Sequence, residues 1–316
     1  MITTTEVNKL WMYFIAYFKA NGRLSLEQER HLKNLKIELA PLDYGAAGFY
    51  SLKDDKMVVN TNYKDKFILY ETVFHELDHA RCSYINHNGE RLTGLWTDDN
   101  SGSYNEETGD IISARKGEFL SEGITTINGE NCYHSYIRNE FKNNEPWKEI
   151  PSTTDKNLFP GHVFPSGLWW YKLNGNFISQ FSAVMGITEN QFCALADNGK
   201  GRENISKLYN QMTSTDNAKF ENVEEKLDYV GTAANIWLHG VNLSLNTMDT
   251  CQKNIKDAQI MLFSHLSLAY NEGKISKTEY VNRFNKFNRY TTMKNLSNLF
   301  ADGALQIIKS KEHSRQ

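Results

Sequence analysis

Apolar positions along this chain recur mostly every three to four residues, the period of helices buried on one face. Leu10 to Phe18 (LWMYFIAYF) predicts a buried first helix that ends near Asn21 and Gly22. Ser25, with Gln28 three residues on, caps a second helix. That helix is expected to run through the charged stretch EQERHLKNLKIELA until Pro41 stops it. The period then falls to two: Gly48 to Leu52 and Met57 to Asn60 flank the polar tip Lys53–Lys56 and predict a β-hairpin. From Lys64 to about Ile85 the helical period returns, carried by Tyr70, Val73, Phe74, Leu77, Ala80 and Tyr84. Residues 89–113 read as polar and β-like. A further helix is expected to begin near Arg115 and to carry Phe119, Leu120, Gly123, Ile124 and Ile127.

Four of the five prolines fall between residues 141 and 175, which marks a boundary between residues 1–150 and 151–316. Beyond it, Thr188 with Gln191 and Ser276 with Glu279 have capping-box spacing, and helical periodicity runs through 219–247, 251–271 and 277–290. The tail IIKSKEHSRQ is expected to fray. No internal repeat is visible. The fold class that results is α+β, predominantly α, with a small and mostly antiparallel sheet in the first half.

Composition narrows the function classes. The 316 residues are 40% hydrophobic and 23% charged, the balance of a globular protein. A net charge of −3 gives no basic footprint, so a nucleic-acid partner is not expected. The first apolar run is too short to span a bilayer and is followed by KANGR, not a small-residue cleavage site. A cytoplasmic location without membrane association is the expectation. Cys82, Cys132, Cys193 and Cys251 are too far apart for a metal knuckle or a disulfide framework, and read as reduced, buried thiols.

The chemistry concentrates in His75-Glu76-Leu77-Asp78-His79. On a helix, residues four apart lie about 40° apart around the axis, so the two imidazoles point the same way and can bind one metal ion. Glu76 sits beside the first of them, where it reaches a metal-bound water more readily than the metal. A catalytic zinc needs a third protein ligand and an open position. Glu122, within Phe119-Leu120-Ser121-Glu122-Gly123-Ile124, is the best candidate, because a carboxylate among apolar residues is costly unless paired. Glu118, in the more polar ARKGE stretch, is its rival. Gly123 is expected to let another helix approach closely.

HELDH on one helix, with a glutamate in an LSEGIT segment on a later one, resembles the gluzincin type of zinc metallopeptidase. The order of elements over residues 40–130 is similar to small intracellular bacterial gluzincin-like proteins. The resemblance implies a zincin-like catalytic domain in residues 1–150; the helical periodicity beyond it, which the resemblance does not cover, adds a helical subdomain in 151–316 that is expected to close the cleft. It implies one zinc ion per chain on His75, His79 and Glu122, with Glu76 as the general base toward the water. It also implies a peptide or protein substrate that adds as a strand beside residues 48–60. The better-known members carry an aspartate four residues after the ligand glutamate, where this chain has Thr126. A hydroxyl from Thr125 or Thr126 orients a histidine less strongly.

A peptidase also needs a donor for the developing oxyanion. Tyr133, His134, Tyr136 and His239 are the candidates, with Tyr133 and His239 carried forward. His162 reads as a turn residue, and Phe164, Trp169, Trp170 and Tyr171 as a possible groove. HExDH also occurs in peptide deformylases, whose cysteine ligand lies upstream; here no cysteine precedes Cys82. The competing readings are a metallopeptidase of narrow specificity and a zinc-binding regulatory protein with little turnover. An effector that cleaves one host protein after export without a cleavable signal is the first chemistry in another setting.

Overall fold

The computed structural model describes residues 2–42, 46–64, 66–89, 91–95, 102–140, 167–197, 199–213, 219–238 and 240–313. Helix α1 (Thr4–Ala20) opens on a reciprocal capping box between Thr3 and Glu6 and buries Val7, Leu10, Phe14 and Phe18. It stops at Asn21, and Gly22 follows in the left-handed region at φ +65. Helix α2 (Leu26–Asn34) has the Ser25–Gln28 box that its sequence predicts.

The second helix ends sooner than its charged pattern suggests. Leu35 is already extended, and Lys36–Ala40 forms strand β1. K-I-E-L-A alternates polar and apolar residues, and Ala40 precedes a proline, which disfavours helical backbone there. Strand β1 pairs in parallel with β3 (Lys56–Asn60), and β2 (Gly48–Ser51) pairs with the other side of β3 as an antiparallel hairpin. The central strand is the buried one, with Met57, Val58 and Val59 in the core. Asp55, at the hairpin tip, takes φ 46.

Helix α3 (Lys66–Cys82) lies on this sheet and against α1. It inserts Leu69, Val73, Phe74 and Leu77, each at most 1% exposed. Fully burying one such side chain contributes about 1.5–3 kcal/mol. The polar stretch that follows resolves into two short antiparallel ladders. Strand β4 (Ser83–Ile85) pairs with β5 (Arg91–Thr93), and β6 (Ser103–Tyr104) with β7 (Ile111–Ser113).

Helix α4 (Glu118–Glu140) joins two cores. Cys132, Tyr133 and Ile137 pack with α1, α3 and the sheet. Phe119, Leu120, Ile124 and Ile127 pack into a larger core with α5 (Gly167–Met185), α6 (Glu189–Ala194), α7 (Gly201–Asn210) and α8 (Phe220–Leu238). That core continues through α9 (Leu245–Asn271), α10 (Lys277–Arg289) and α11 (Lys294–His313). The architecture is therefore α+β and predominantly α, with a small sheet. The proline-rich segment at the expected boundary lies outside the described residues.

Three details refine the second half. The capping boxes at Thr188 and Ser276 are both present. The periodic stretch 219–247 divides: Gly240 takes φ +82 after α8, and Ser244 caps a new helix. The tail does not fray at residue 307; α11 continues to His313. Ile307 and Ile308 pack against the core, Lys311 reaches the carbonyl of Tyr270, and Glu312 pairs with Lys277. No helix among the described residues is long and apolar enough to cross a membrane.

Candidate metal centre

The site stands where α3 crosses α4. On α3, Leu77, Val73 and Phe74 fix one face in the core, which leaves His75 and His79 side by side at its edge, 7% and 8% exposed. On α4, two glycines set the approach. A Cβ on Gly123 would lie 2.7 Å from Ile178 Cγ1 and 2.9 Å from the Asn174 carbonyl, so α5 presses close behind. A Cβ on Gly129 would lie 3.4 Å from the His75 amide, so α4 also meets α3 closely. Glu122 then points at both histidines.

Three donor groups converge. His75 Nε2 is 3.0 Å from Glu122 Oε2, His79 Nε2 is 3.3 Å from Glu122 Oε1, and the two Nε2 atoms are 3.1 Å apart. Three ligands at about 2.0–2.1 Å from one tetrahedral ion sit about 3.3–3.4 Å from one another. The group is close to that spacing without rearrangement. It is also an awkward hydrogen-bond set by itself, since two ring nitrogens face each other across one gap and only one can donate. A buried His-His-Glu group of this shape could hold a metal ion.

The electrostatics are those of an anion caged by imidazoles. Burial pushes the Glu122 carboxyl up, but the charge of His79 and hydrogen bonds from both histidines outweigh it and hold it well below the usual range. Burial likewise lowers His79, yet the charge of Glu122 dominates and raises it to about 9. Burial lifts the Glu76 carboxyl above its ordinary value, against the charges of His75 and His79. The backbone N–H of Tyr50 donates to Glu76 Oε2 at 2.8 Å, which brings strand β2 against this glutamate.

The hydroxyls near the ligands divide their work. Thr126 donates to the Glu122 carbonyl at 2.7 Å, so its hydroxyl serves the α4 backbone. Thr125 Oγ1 lies 3.3 Å from His75 Nε2 and also contacts the Ser121 and Glu122 carbonyls. Ser121 Oγ approaches His79 Nδ1 at 3.5 Å.

Other candidates stand elsewhere. Glu118, one turn before Glu122, is buried and engaged by Asn235 at 2.6 Å and Arg115 at 3.3 Å; it is not among the three convergent groups. Burial lifts its carboxyl to about 7. Tyr133 lies eleven residues beyond Glu122 on the same helix, about 16 Å along the axis, and packs in the N-terminal core at 3% exposure. Tyr136 stacks on Tyr13 at 4.7 Å, and His134 is exposed. His239, His162 and Phe164, and the side chains of Trp169, Trp170 and Tyr171, lie outside the described residues.

Beneath the three convergent groups lies a buried polar network. Asp78, fully buried, accepts from Arg81 Nε at 2.6 Å and from Asn128 Nδ2 on α4 at 2.7 Å. Arg81, also fully buried, donates to Asp197 at 2.7 Å and stacks over the Phe18 ring at 4.1 Å. Arg23 grips the same Asp197 with two nitrogens at 2.7 and 2.9 Å, and Asn128 at 2.9 Å. One polar network thus ties α1, α3, α4 and the end of α6 together behind the histidines. Opposite charges three residues apart mark the Asp78–Arg81 pair in the sequence; nothing there points to Asp197. Comparisons of the chain with protein-family models, curated proteins and solved structures return no match.

Proposed function

We propose that the chain is a zinc-dependent peptidase of narrow specificity, acting in the cytoplasm on a peptide or protein. The observation that carries this reading is the convergence of His75, His79 and Glu122, with Glu76 beside them, where the buried stretches of α3 and α4 cross. Two imidazoles and a carboxylate form a donor set suited to zinc that leaves a coordination position open. When bound, zinc supplies Lewis acidity toward a carbonyl and lowers the pKa of water.

The remaining steps belong to the chain. Glu76, its carboxyl lifted by burial, takes a proton from the attacking water at Oε1 or Oε2 and passes it to the leaving amine. Release of the Tyr50 N–H from Glu76 frees both that oxygen and a strand-edge donor for an extended substrate. Asp78, Arg81 and Asn128 hold α3 and α4 in the register that makes the ligands meet.

A second reading is a zinc-binding regulator with little turnover. It is favoured by Thr126, whose hydroxyl is spent on the Glu122 carbonyl and so does not orient a histidine. Glu76→Gln separates the two. With a proteome-derived peptide library, the peptidase reading expects metal content to be retained and cleavage to fall at least about 10²-fold. Cleavage at the wild-type rate in Glu76→Gln would refute the mechanism.

A further inference from the structure

Strand β2 is tied to α3 at two points of one residue. The Tyr50 backbone N–H donates to Glu76 Oε2 at 2.8 Å, and the Tyr50 hydroxyl donates to Asp55 Oδ1 at 2.8 Å. The same hydroxyl lies 3.3 Å from Ser83 Oγ, which donates to the Ala80 carbonyl at 2.8 Å. Glu76, Ala80 and Ser83 succeed one another along one side of α3 and its exit. Tyr50 therefore lies lengthwise on the helix that carries His75 and His79. The backbone beside it is close as well: a Cβ on Gly48 would lie 3.0 Å from Thr72 Cγ2, one turn before Glu76.

Asp55 is the hub of this tether. Its Oδ1 also faces His31 Nε2 of α2 at 2.7 Å, and its Oδ2 pairs with Arg91 Nη2 of β5 at 2.9 Å. A carboxylate can only accept, so His31 carries its proton on Nε2. His31 Nδ1 is buried with no hydrogen-bond partner, which leaves Asp55 as the group that holds the ring. Arg91 Nη1 donates to Ser83 Oγ at 3.0 Å and closes the circuit back to the end of α3. Asp55 is also the one non-glycine residue among the described residues with a positive φ, 46°. L residues enter that region at a cost and keep it where their surroundings over-determine it. Burial and the Asp55 carboxylate push the Tyr50 phenol up, against the Ser83 bond, so the hydroxyl stays a donor.

We infer that Asp55 is a positioning residue for Glu76: through the Tyr50 hydroxyl it holds β2 against α3, and the Tyr50 N–H in turn fixes the Glu76 carboxylate beside His75 and His79. The consequence for catalysis rests on the peptidase reading; the coupling from Asp55 to the Tyr50 N–H does not. Because the hydroxyl tether is separate from that N–H, the strand keeps its place when an extended substrate takes the N–H.

The test is amide exchange of the full chain, read residue by residue by NMR, in wild type, Tyr50→Phe, Asp55→Asn and the double variant. Phenylalanine keeps the ring and the backbone N–H, and asparagine tolerates the left-handed region as aspartate does. Thermal melts confirm that each variant is folded. The amide of residue 50 is expected to exchange at least about tenfold faster in each single variant, while Met57, Val58 and Val59 keep their wild-type protection. The double variant should exceed the faster single variant by no more than about twofold, since Asp55 acts through Tyr50. Unaccelerated exchange at residue 50 in either folded single variant, or equal acceleration across β3, would overturn the proposal. So would a double variant whose acceleration is the product of the two. Cleavage is compared at equal zinc loading with a library peptide that the wild type cuts. In Asp55→Asn kcat is expected to fall at least about tenfold with KM within about threefold. An unchanged kcat would overturn the positioning role and leave the peptidase reading standing. If the exchange pattern holds but the wild type cuts no peptide, the tether stands and the peptidase reading fails.

Discussion

The metal-free protein should hold a proton on His79 that a metal ion must displace, and this fixes how metal affinity depends on pH. His79 is raised to about 9 by Glu122 despite its burial. An ordinary histidine titrates near 6.5. The raised value means that the charged His79–Glu122 pair stabilises the metal-free fold fully below about pH 6.5, and that this contribution is lost as pH rises through about 9. Metal binding has the opposite dependence, because only the neutral imidazole is a ligand. With the raised value, the neutral fraction of His79 grows about 100-fold between pH 6 and pH 8; with an ordinary value it grows only about fourfold. Zinc affinity, measured by competition against a chelating dye of known pH-dependent affinity, should therefore rise about 100-fold over that interval in the wild type. In Glu122→Gln, which removes the charge that holds the proton, His79 returns toward its ordinary behaviour. The rise should shrink to about fourfold, on top of a lower absolute affinity. A fourfold rise in the wild type would refute the pairing of His79 with Glu122.

Two further predictions concern the scaffold. Gly123→Ala places a methyl 2.9 Å from the Asn174 carbonyl and 2.7 Å from Ile178. Because one clashing atom is a backbone oxygen, the overpacking lies toward the upper end of about 1–3 kcal/mol, above the ~1 kcal/mol that alanine gains in helix propensity. The melting temperature should fall by several degrees, and an unchanged or higher value would contradict the close approach of α4 and α5. Arg81→Met leaves Asp78 buried without its Arg81 partner and removes one guanidinium from Asp197, so denaturant unfolding should show a loss of about 3–5 kcal/mol. A loss under about 1 kcal/mol would mean that the network does not hold the helices.

What the sequence reveals here is whatever is local. HELDH, the capping boxes at Ser25, Thr188 and Ser276 and the hairpin around Lys53–Lys56 are each encoded within a few residues, and each appears where the pattern places it. Glu122 is legible because a lone carboxylate in an apolar helix calls for a partner. Strand β1 is hidden because its alternation, Ile37 and Leu39 between polar neighbours, is only five residues long and directly continues a charged helix. Its pairing with β3 is a tertiary choice that overrides the local pattern. The network behind the ligands is hidden for a related reason: Arg23 and Asp197 are 174 positions apart, and no spacing rule links them. The cluster around Asp55 combines α2, β2 and β5, and appears only when these elements are assembled.

Whether His75, His79 and Glu122 form one metal site is decided by metal content. Purified wild type and Glu122→Ala would be stripped with a chelator, dialysed against zinc and assayed for metal per chain. One zinc per chain is expected in the wild type, with an affinity at least about tenfold weaker in Glu122→Ala. A wild type that takes up no zinc, or a Glu122→Ala that binds it equally well, would contradict it.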